Sequence, residues 1–285
     1  MIKIQNVSYR VKDKDILKNI NLEILPNERL ALLGHNGSGK STLIDIITNA
    51  IKQTEGKVEI LNSSFRNVKG RVGVLYEYPP LFPYFKVKEF IAYICLIHGV
   101  KLQEISLIIQ NLSIDKINNS LINVLSKGER KKLGILLMMI HNPEFIILDE
   151  PTAEIDPFTR DIAWNLFTNE KRTIFFTTHQ WEEAQVYADK IAFISEGKIL
   201  AIDLKDAFLS NKYINGDKKI IISKKNQHVK FDEGEEYFRY EDDEQIHVFP
   251  KDMNAYLQKI GSNTNFSVMD KSIKDVFLFI ENKKI

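Results

Sequence analysis

Nine consecutive residues near the N-terminus have the types and spacing that a polyphosphate site requires. Glycines at three of these positions let backbone N–H groups approach the anion where side chains would block them. Lys40 would reach the β- and γ-phosphates, and the Ser41 hydroxyl would be a ligand of Mg²⁺. An apolar run ends at Leu33 and a helical pattern follows, so the positive end of a helix would also face the anion. We predict a triphosphate-binding loop formed by Gly34, His35, Asn36, Gly37, Ser38, Gly39, Lys40, Ser41 and Thr42.

Two adjacent carboxylates end the apolar run that begins at Phe145. Ligands of parallel sheets lie at the carboxyl ends of the strands, where two acids are costly unless a cation or proton chemistry uses them. Asp149 suits a hydrogen bond to the water shell of Mg²⁺, and Glu150 suits activation of the attacking water. A solvated strand end is the alternative interpretation of this pair.

His179 directly follows another apolar run, Thr173–Thr178. A lone histidine is more often structural than catalytic. This histidine, however, occupies the same kind of strand end as the two acids. We therefore predict that it contacts the γ-phosphate or the attacking water.

Two further features allow two interpretations each. Ser126 and Glu129 match a capping box at a helix start, and the same helix end, with Gly128, could bind a phosphate. Tyr9 could stack on a purine base, although an aromatic residue in a strand is usually part of the core.

The composition bears on the partners and the cellular location of the protein. The chain has 285 residues, 44% of them hydrophobic, and a net charge of +1, which gives no reason to expect nucleic acid as a partner. Its single cysteine, Cys95, cannot form an intrachain disulfide, so we expect a reducing cytoplasm. No apolar run approaches the roughly 20 residues of a membrane span, and we expect a soluble chain.

Strand and helix patterns alternate along most of the chain, which indicates an α/β fold. We predict a nucleotide-binding domain over residues 1–212, with a helical insertion at about 86–140. A change of composition near residue 212 indicates a small C-terminal α+β domain over 213–285, whose last helix would cover its own small sheet. Its predicted strands and helices are Lys219–Ser223, Val229–Phe231, Tyr237–Tyr240, Ile246–Phe249, Lys251–Ile260, Asn265–Met269 and Ser272–Glu281.

Taken in order, these segments resemble the ATP-binding-cassette (ABC) ATPases over roughly residues 1–210. The resemblance implies a P-loop NTPase fold of the ABC type, with a mixed sheet core, an antiparallel β subdomain and an α-helical subdomain. Leu125–Glu129 is similar to the family's signature motif, usually Leu-Ser-Gly-Gly-Gln, and Asp156 belongs to a segment similar to its D-loop. Tyr9 falls at the adenine-stacking position, which favours a nucleotide contact. Glu77 falls where the family has a glutamine that ligates Mg²⁺ and senses the attacking water.

The resemblance also implies a function. In the family, two cassettes face each other head to tail, so Ser126 and Gly128 would touch the γ-phosphate held by Lys40 of a second cassette, identical or different. The chain would be the ATP-hydrolysing motor of a transporter whose channel is a separate transmembrane permease. It would be cytoplasmic, peripheral on the inner face of the cell membrane, and in membrane contact only through the permease. The C-terminal piece looks like the tail of exporters for drugs, peptides or lipids. Phe82, Tyr84 and Phe85 are candidates for permease contact, or for core packing.

Two departures from the family pattern affect the expected turnover. Glu77 replaces the glutamine; it is still a good ligand for a hard cation but loses the amide donor. Lys127 and Glu129 stand where Gly and Gln are usual, and Glu129 would repel the γ-phosphate unless Lys127 or the capping box offsets its charge. We expect a working ATPase. The alternative is a nucleotide-gated, weakly hydrolysing subunit paired with a different ABC ATPase. A soluble cassette acting on ribosomes or DNA is disfavoured, because the chain has one cassette and no basic face.

Overall fold

The computed structural model describes residues 1–214, 216–224, 236–260 and 265–283. Strands and helices alternate through most of this length, as the sequence predicts. The elements are β1 (Ile2–Val11), β2 (Lys14–Ile24), β3 (Arg29–Leu33), α1 (Lys40–Ile47), β4 (Glu55–Ile60), α2 (Phe65–Val68), β5 (Val72–Leu75), α3 (Val87–His98), α4 (Ser106–Asn111), α5 (Lys127–Met139), β6 (Phe145–Asp149), α6 (Pro157–Thr168), β7 (Thr173–Thr178), α7 (Trp181–Tyr187), β8 (Lys190–Ser195), β9 (Lys198–Leu204), α8 (Lys205–Leu209), β10 (Lys218–Ser223), β11 (Glu236–Glu241), β12 (Gln245–Pro250), α9 (Met253–Ile260), β13 (Phe266–Asp270) and α10 (Ile273–Asn282).

A six-stranded sheet in the order β5-β6-β7-β3-β8-β9 forms the centre of the molecule. Its first five strands are parallel, and β9 is antiparallel to β8. Every residue of β6 and β7 is buried, because both faces of the sheet are covered, and this explains their unbroken apolar runs. Since β3, β6 and β7 are parallel neighbours, the phosphate-binding loop, the two acids and His179 all leave the same edge of the sheet.

An antiparallel sheet in the order β2-β1-β4 packs against one face of the central sheet. Its alternating apolar residues, such as Ile2 and Ile4, share a buried cluster with Leu43 and Ile44 of α1 and with Leu30 of β3. The cluster fixes the position of α1, and with it the start of the phosphate-binding helix. The predicted antiparallel subdomain is confirmed.

The helical insertion contains α3, α4, α5 and short 3-10 turns between them. α3 ends at His98, where Gly99 takes a left-handed φ of 68°, and the helical insertion expected at about 86–140 is broken into shorter helices. Among the described residues, no single helix is long and apolar enough to cross a membrane. The segments Val87–His98 and Leu102–Asn111 are long and apolar enough only when taken together, and the chain bends by 113° between them.

The C-terminal part contains an antiparallel sheet in the order β11-β12-β10-β13. Its strands and helices agree with the predicted ones to within two residues, except for Val229–Phe231, which lies outside the described residues. The prediction for the last helix is wrong in part. Ile273, Val276 and Phe277 of α10 belong to the large core cluster of the cassette, and the helix also contacts α7, α8 and β9. The division near residue 212 stays a prediction.

Candidate nucleotide site

The loop between β3 and α1 is folded around its own lysine. Lys40 is buried, and its Nζ donates hydrogen bonds to the carbonyl oxygens of Gly34 (2.9 Å) and His35 (3.3 Å). Gly39 has a φ of 108°, which a residue with a side chain rarely adopts. Among the described residues, the Ser38 hydroxyl is buried and has no hydrogen-bond partner. A loop with an inward-facing cation and an unused donor is suited to an anion such as a phosphate.

The two acids at the end of β6, Asp149 and Glu150, make different contacts. Asp149 is buried, and its Oδ1 accepts a hydrogen bond of 2.5 Å from the hydroxyl of Thr177 on β7. Glu150 has a left-handed φ of 46°, which turns its side chain away from the strand direction. Its backbone N–H donates to the Thr177 carbonyl oxygen at 3.2 Å.

Glu150 joins the phosphate-binding loop to His179. One carboxylate oxygen, Oε2, lies 2.8 Å from His179 Nδ1, and the other, Oε1, lies 3.6 Å from Lys40 Nζ. The Glu150 side chain is 9% exposed, whereas that of His179 is 50% exposed. The carboxylate is therefore held between a cation and an imidazole at the sheet edge, where it could accept a proton from a bound water.

A cavity of about 540 Å³ lies against these groups. It brings together most of the phosphate-binding loop with Glu77, Glu150 and His179, which come from three separate parts of the sequence. Its lining residues are Lys14, Ile16, Asn36, Gly37, Gly39, Lys40, Ser41, Thr42, Glu77, Glu150, Ala153 and His179.

An adjoining cavity of about 440 Å³ contains the predicted Mg²⁺ ligands Ser41, Glu77 and Asp149. Asp45 also lines it, and burial together with the Asp149 charge raises the pKa of Asp45. Among the described residues no cluster of three or more His, Cys, Asp or Glu side chains forms a complete metal site. The donor set fits Mg²⁺, because this ion keeps several waters and phosphate oxygens and takes few protein ligands.

Lys131 on α5 connects the ends of two central strands, a contact that the sequence did not predict. Its buried Nζ donates to the carbonyl oxygens of Tyr76 (3.2 Å), Glu77 (3.1 Å) and Asp149 (3.2 Å). Burial lowers the pKa of Lys131 to about 8, against the opposing charges of Asp149 and Glu77. Lys131 therefore fixes the backbone of two of the predicted Mg²⁺ ligands.

The predicted signature segment forms the capping box and does not line either cavity in the part of the chain that the structure describes. Glu129 Oε2 accepts from the Ser126 hydroxyl (2.7 Å) and from the Ser126 N–H (2.8 Å), and these bonds lower the pKa of Glu129. Lys127 pairs instead with Glu154, at 2.7 Å. The carboxylate is thus bound by the capping box and not neutralised by Lys127.

Five other predicted nucleotide contacts do not line either cavity, and three of them, Gly34, His35 and Ser38, belong to the phosphate-binding loop itself. Tyr9 is half-buried, pairs with Leu17 and packs against the core cluster under the antiparallel sheet. Asp156 caps its own helix α6 through Thr159, whose hydrogen bonds lower the pKa of Asp156 to about 2. His35 faces the C-terminal helix.

The cavity is also lined by three residues that were not predicted from the sequence, Lys14, Ile16 and Ala153. Lys14 pairs with Val11 in the ladder of β1 and β2. Bulges on both sides of Tyr9 change the register between β1 and β2, so the spacing in the sequence could not place the side chains of Lys14 and Ile16 at the cavity.

The parallel strand order, the glycine loop leading into α1 and the acids ending a neighbouring strand define a nucleotide-binding domain of the P-loop NTPase class. The family model described as "ABC transporter" matches residues 17–153. The chain carries an ATPase domain of the ABC transporter family.

Curated relatives are longer proteins. The human "ATP-binding cassette sub-family A member 10" is 30% identical over 316 residues, covering 99% of this chain and 20% of that protein. The human "Cholesterol transporter ABCA5" is 28% identical over 308 residues, covering 96% of this chain and 18% of that protein. The chain thus spans about a fifth of the length of these relatives.

Solved structures show the same fold. An ATP-binding subunit of an ABC transporter superimposes with a TM-score of 0.67 at 20% identity, covering 73% of this chain and 92% of that one. A dimeric ATP-binding cassette, in a post-hydrolysis state with ADP and Pi, gives a TM-score of 0.63 at 24% identity, covering 72% and 99% of the two chains. The predicted ABC-type fold is confirmed.

Proposed function

We propose that this chain is the ATP-binding and ATP-hydrolysing motor subunit of a membrane ABC transporter, and that the transporter is an exporter. The observation that carries the proposal is the position of Glu150, between Lys40 and His179 at the wall of the phosphate-loop cavity. Glu150 would accept a proton from the attacking water. His179, with Nδ1 protonated, would donate to Glu150 Oε2 and hold its carboxylate in place.

Ser41, Glu77 and Asp149 are the residues that would hold Mg²⁺ beside the phosphates. When bound, Mg²⁺ neutralises charge that develops on the phosphate oxygens. Lys40 would add a second positive charge once its hydrogen bonds to the Gly34 and His35 carbonyl oxygens are exchanged for hydrogen bonds to phosphate oxygens.

The site is proposed to be completed by a second cassette. Ser126 and Gly128 lie away from the cavity of their own chain, whereas Ser126 caps a helix whose positive end is suited to an anion. Closure of two cassettes around ATP would bring this helix end onto the γ-phosphate held by the other chain. Loss of the γ-phosphate would then remove part of the interface and allow the cassettes to separate.

The permease contact is proposed for the aromatic surface formed by Phe82, Tyr84 and Phe85. Their exposed fractions are 58%, 84% and 39%, so the core-packing alternative does not account for Phe82 and Tyr84. The ring of Phe82 lies 5.5 Å from that of Phe90, which is buried in the insertion. Exposed aromatic side chains on a fixed base are typical of a protein interface. A separate transmembrane permease would therefore hold the chain at the cytoplasmic face of the cell membrane, with no nucleic acid involved.

The alternative function, a weakly hydrolysing subunit paired with a different ABC ATPase, is supported by one observation. The Ser126 hydroxyl already donates to the charged Glu129, so this signature segment offers a γ-phosphate fewer free donors and an added negative charge. A chain that binds ATP but hydrolyses it no faster than its Glu150→Gln variant would support this alternative.

ATP-dependent dimerisation tests the proposed closure. The Glu150→Gln variant with ATP and Mg²⁺ should double its mass from 33.0 kDa in light scattering, whereas the same variant with ADP should not. A Glu150→Gln chain that binds ATP and stays monomeric would contradict closure between identical copies. Co-purification of the tagged chain with a multi-span membrane protein from its own cells tests the permease assignment.

A further inference from the structure

The last helix of the chain, α10, touches the phosphate-binding loop. The Phe277 ring lies edge-on to the His35 ring, with 5.1 Å between the ring centroids, and Phe277 is fully buried. One turn further along, Glu281 Oε2 lies 3.5 Å from His35 Nε2, while Glu281 Oε1 accepts a 2.7 Å hydrogen bond from the Ser195 hydroxyl. Glu281 thus contacts His35, the second residue of the loop, although the two residues are more than 240 positions apart in the sequence.

The same phenylalanine also reaches the segment that carries His179. The Phe277 ring lies 4.9 Å from that of Trp181, the first residue of α7 and two positions after His179. The Phe277 ring also lies 5.3 Å from that of Phe193 of β8. Phe277 therefore fills the space between the phosphate-binding loop and the start of α7. A ring in this place limits how far the two can move relative to each other.

The contact continues to Lys40 of the phosphate-binding loop. The His35 carbonyl oxygen accepts a hydrogen bond from Lys40 Nζ at 3.3 Å, so a shift of His35 changes the surroundings of the lysine. At its other end α10 is fixed to the C-terminal sheet. Asp275 is fully buried and accepts hydrogen bonds from Lys219 (2.8 Å) and Tyr240 (2.6 Å). One ten-residue helix thus joins that sheet to the nucleotide site.

We infer that Phe277 and Glu281 are positioning residues of the ATP site, and that they set nucleotide affinity by fixing His35 and the start of α7. This inference rests on the proposed function, because it requires that the loop binds ATP. It assigns the C-terminal piece a role in nucleotide binding. By linkage, whatever displaces α10 from His35 would weaken ATP binding, and bound ATP would stabilise the docked helix.

Nucleotide affinity separates this role from a purely structural one. A fluorescent ATP analogue with Mg²⁺ should bind Glu281→Ala on the order of fivefold more weakly than wild type, as expected for losing one charged hydrogen-bonded contact. Glu281→Gln should retain most of the affinity, because an amide oxygen can still accept from Ser195. KM for ATP should rise in parallel in Glu281→Ala, while kcat at saturating ATP stays within about twofold, because the groups that perform the chemistry are unchanged.

Asn282→Ala is the matched control, since Asn282 is the exposed neighbour on the same helix. Phe277→Ala risks unfolding because the ring is buried, so Phe277→Leu is the better second variant; it keeps most of the volume and should also bind more weakly. The inference is overturned if Glu281→Ala and Phe277→Leu, folded as judged by thermal melting, both bind the analogue as tightly as Asn282→Ala. Absence of binding by the wild-type chain would instead overturn the proposed function.

Discussion

Glu150 Oε2 and His179 Nδ1 lie 2.8 Å apart although the two residues end different strands. The contact depends on the left-handed φ of 46° at Glu150, which directs the side chain across the sheet edge to the neighbouring strand β7. Backbone strain of this kind costs of the order of 1–3 kcal/mol. The pair is the structural relationship on which the proposed hydrolysis depends.

Replacing His179 should slow hydrolysis and leave ATP binding nearly unchanged. His179→Ala removes the group that orients Glu150, and we expect turnover to fall by about 100-fold. His179→Asn keeps an N–H close to the position of Nδ1 and should retain more activity. Phosphate release at saturating ATP measures both variants. Equal losses in the two would contradict an orienting role for the hydrogen bond to Glu150.

Lys131 should matter more than the neighbouring lysine on the same helix. Lys131→Met keeps the length of the side chain but leaves three carbonyl oxygens, of which that of Asp149 is buried, without their donor, which should cost about 1–3 kcal/mol of the free energy of unfolding. Turnover should also fall roughly tenfold, because the backbone of Glu77 and Asp149 is released. Urea unfolding and phosphate release are the measurements.

Lys132→Met is the control for that prediction, since Lys132 makes only a 3.7 Å ion pair with the largely exposed Asp156. If Lys131→Met and Lys132→Met behave alike, the anchoring of the three carbonyl oxygens contributes nothing to the site.

Glu129→Gln should increase turnover severalfold. Glutamine also serves at the third position of a capping box, so the start of α5 should be preserved. The substitution removes a negative charge that the lowered pKa keeps ionised at neutral pH, beside the Ser126 hydroxyl. Steady-state turnover and ATP-dependent dimerisation are the readouts. Unchanged turnover with an intact α5 would show that the Glu129 charge does not oppose the γ-phosphate.

Asp275→Asn should destabilise the chain by about 3–5 kcal/mol, because it leaves the buried Lys219 without its charged partner. Burial alone would raise the pKa of Asp275, but hydrogen bonds from Lys219 and Tyr240 hold this pKa below its usual value. A carboxylate whose folded-state pKa is lowered stabilises the folded state above its unfolded pKa, near pH 4, and loses that effect as the pH falls through the folded pKa.

The difference in the free energy of unfolding between wild type and Asp275→Asn should therefore be constant at neutral pH and shrink below about pH 4. Asp15→Asn, in the exposed pair with Arg10, is the matched control and should leave the unfolding midpoint nearly unchanged. A pH-independent difference would argue against the ionised Asp275.

The sequence was sufficient where local pattern determines structure. The glycine spacing of the phosphate-binding loop, the unbroken apolar run of β6 and the Ser126–Glu129 capping box are short-range features, and each is found in the structure. The sequence also predicted that the two acids and His179 lie at the same edge of the sheet, because parallel strands bring their carboxyl ends together.

Contacts between segments that lie far apart in the sequence could not be predicted. Lys131 was one of several charged residues on a helix, and nothing local marks it as the buried one. The sequence of α10 is amphipathic, with Phe277 on its apolar face. The pattern could not show whether this face packs against the cassette or against the small C-terminal sheet. Bulges in β1 on both sides of Tyr9 change the register of its neighbours with β2, so the spacing in the sequence could not decide between core packing and a nucleotide contact for Tyr9, and that contact stays a prediction.

Phosphate release by the purified chain at saturating MgATP tests the central claim most directly. Wild type should turn over at least about 100-fold faster than Glu150→Gln, which loses the proton acceptor but keeps the side-chain shape. Glu144→Gln, the same substitution at the exposed residue before β6, should match wild type. Equal rates for wild type and Glu150→Gln would contradict hydrolysis through the Glu150–His179 pair.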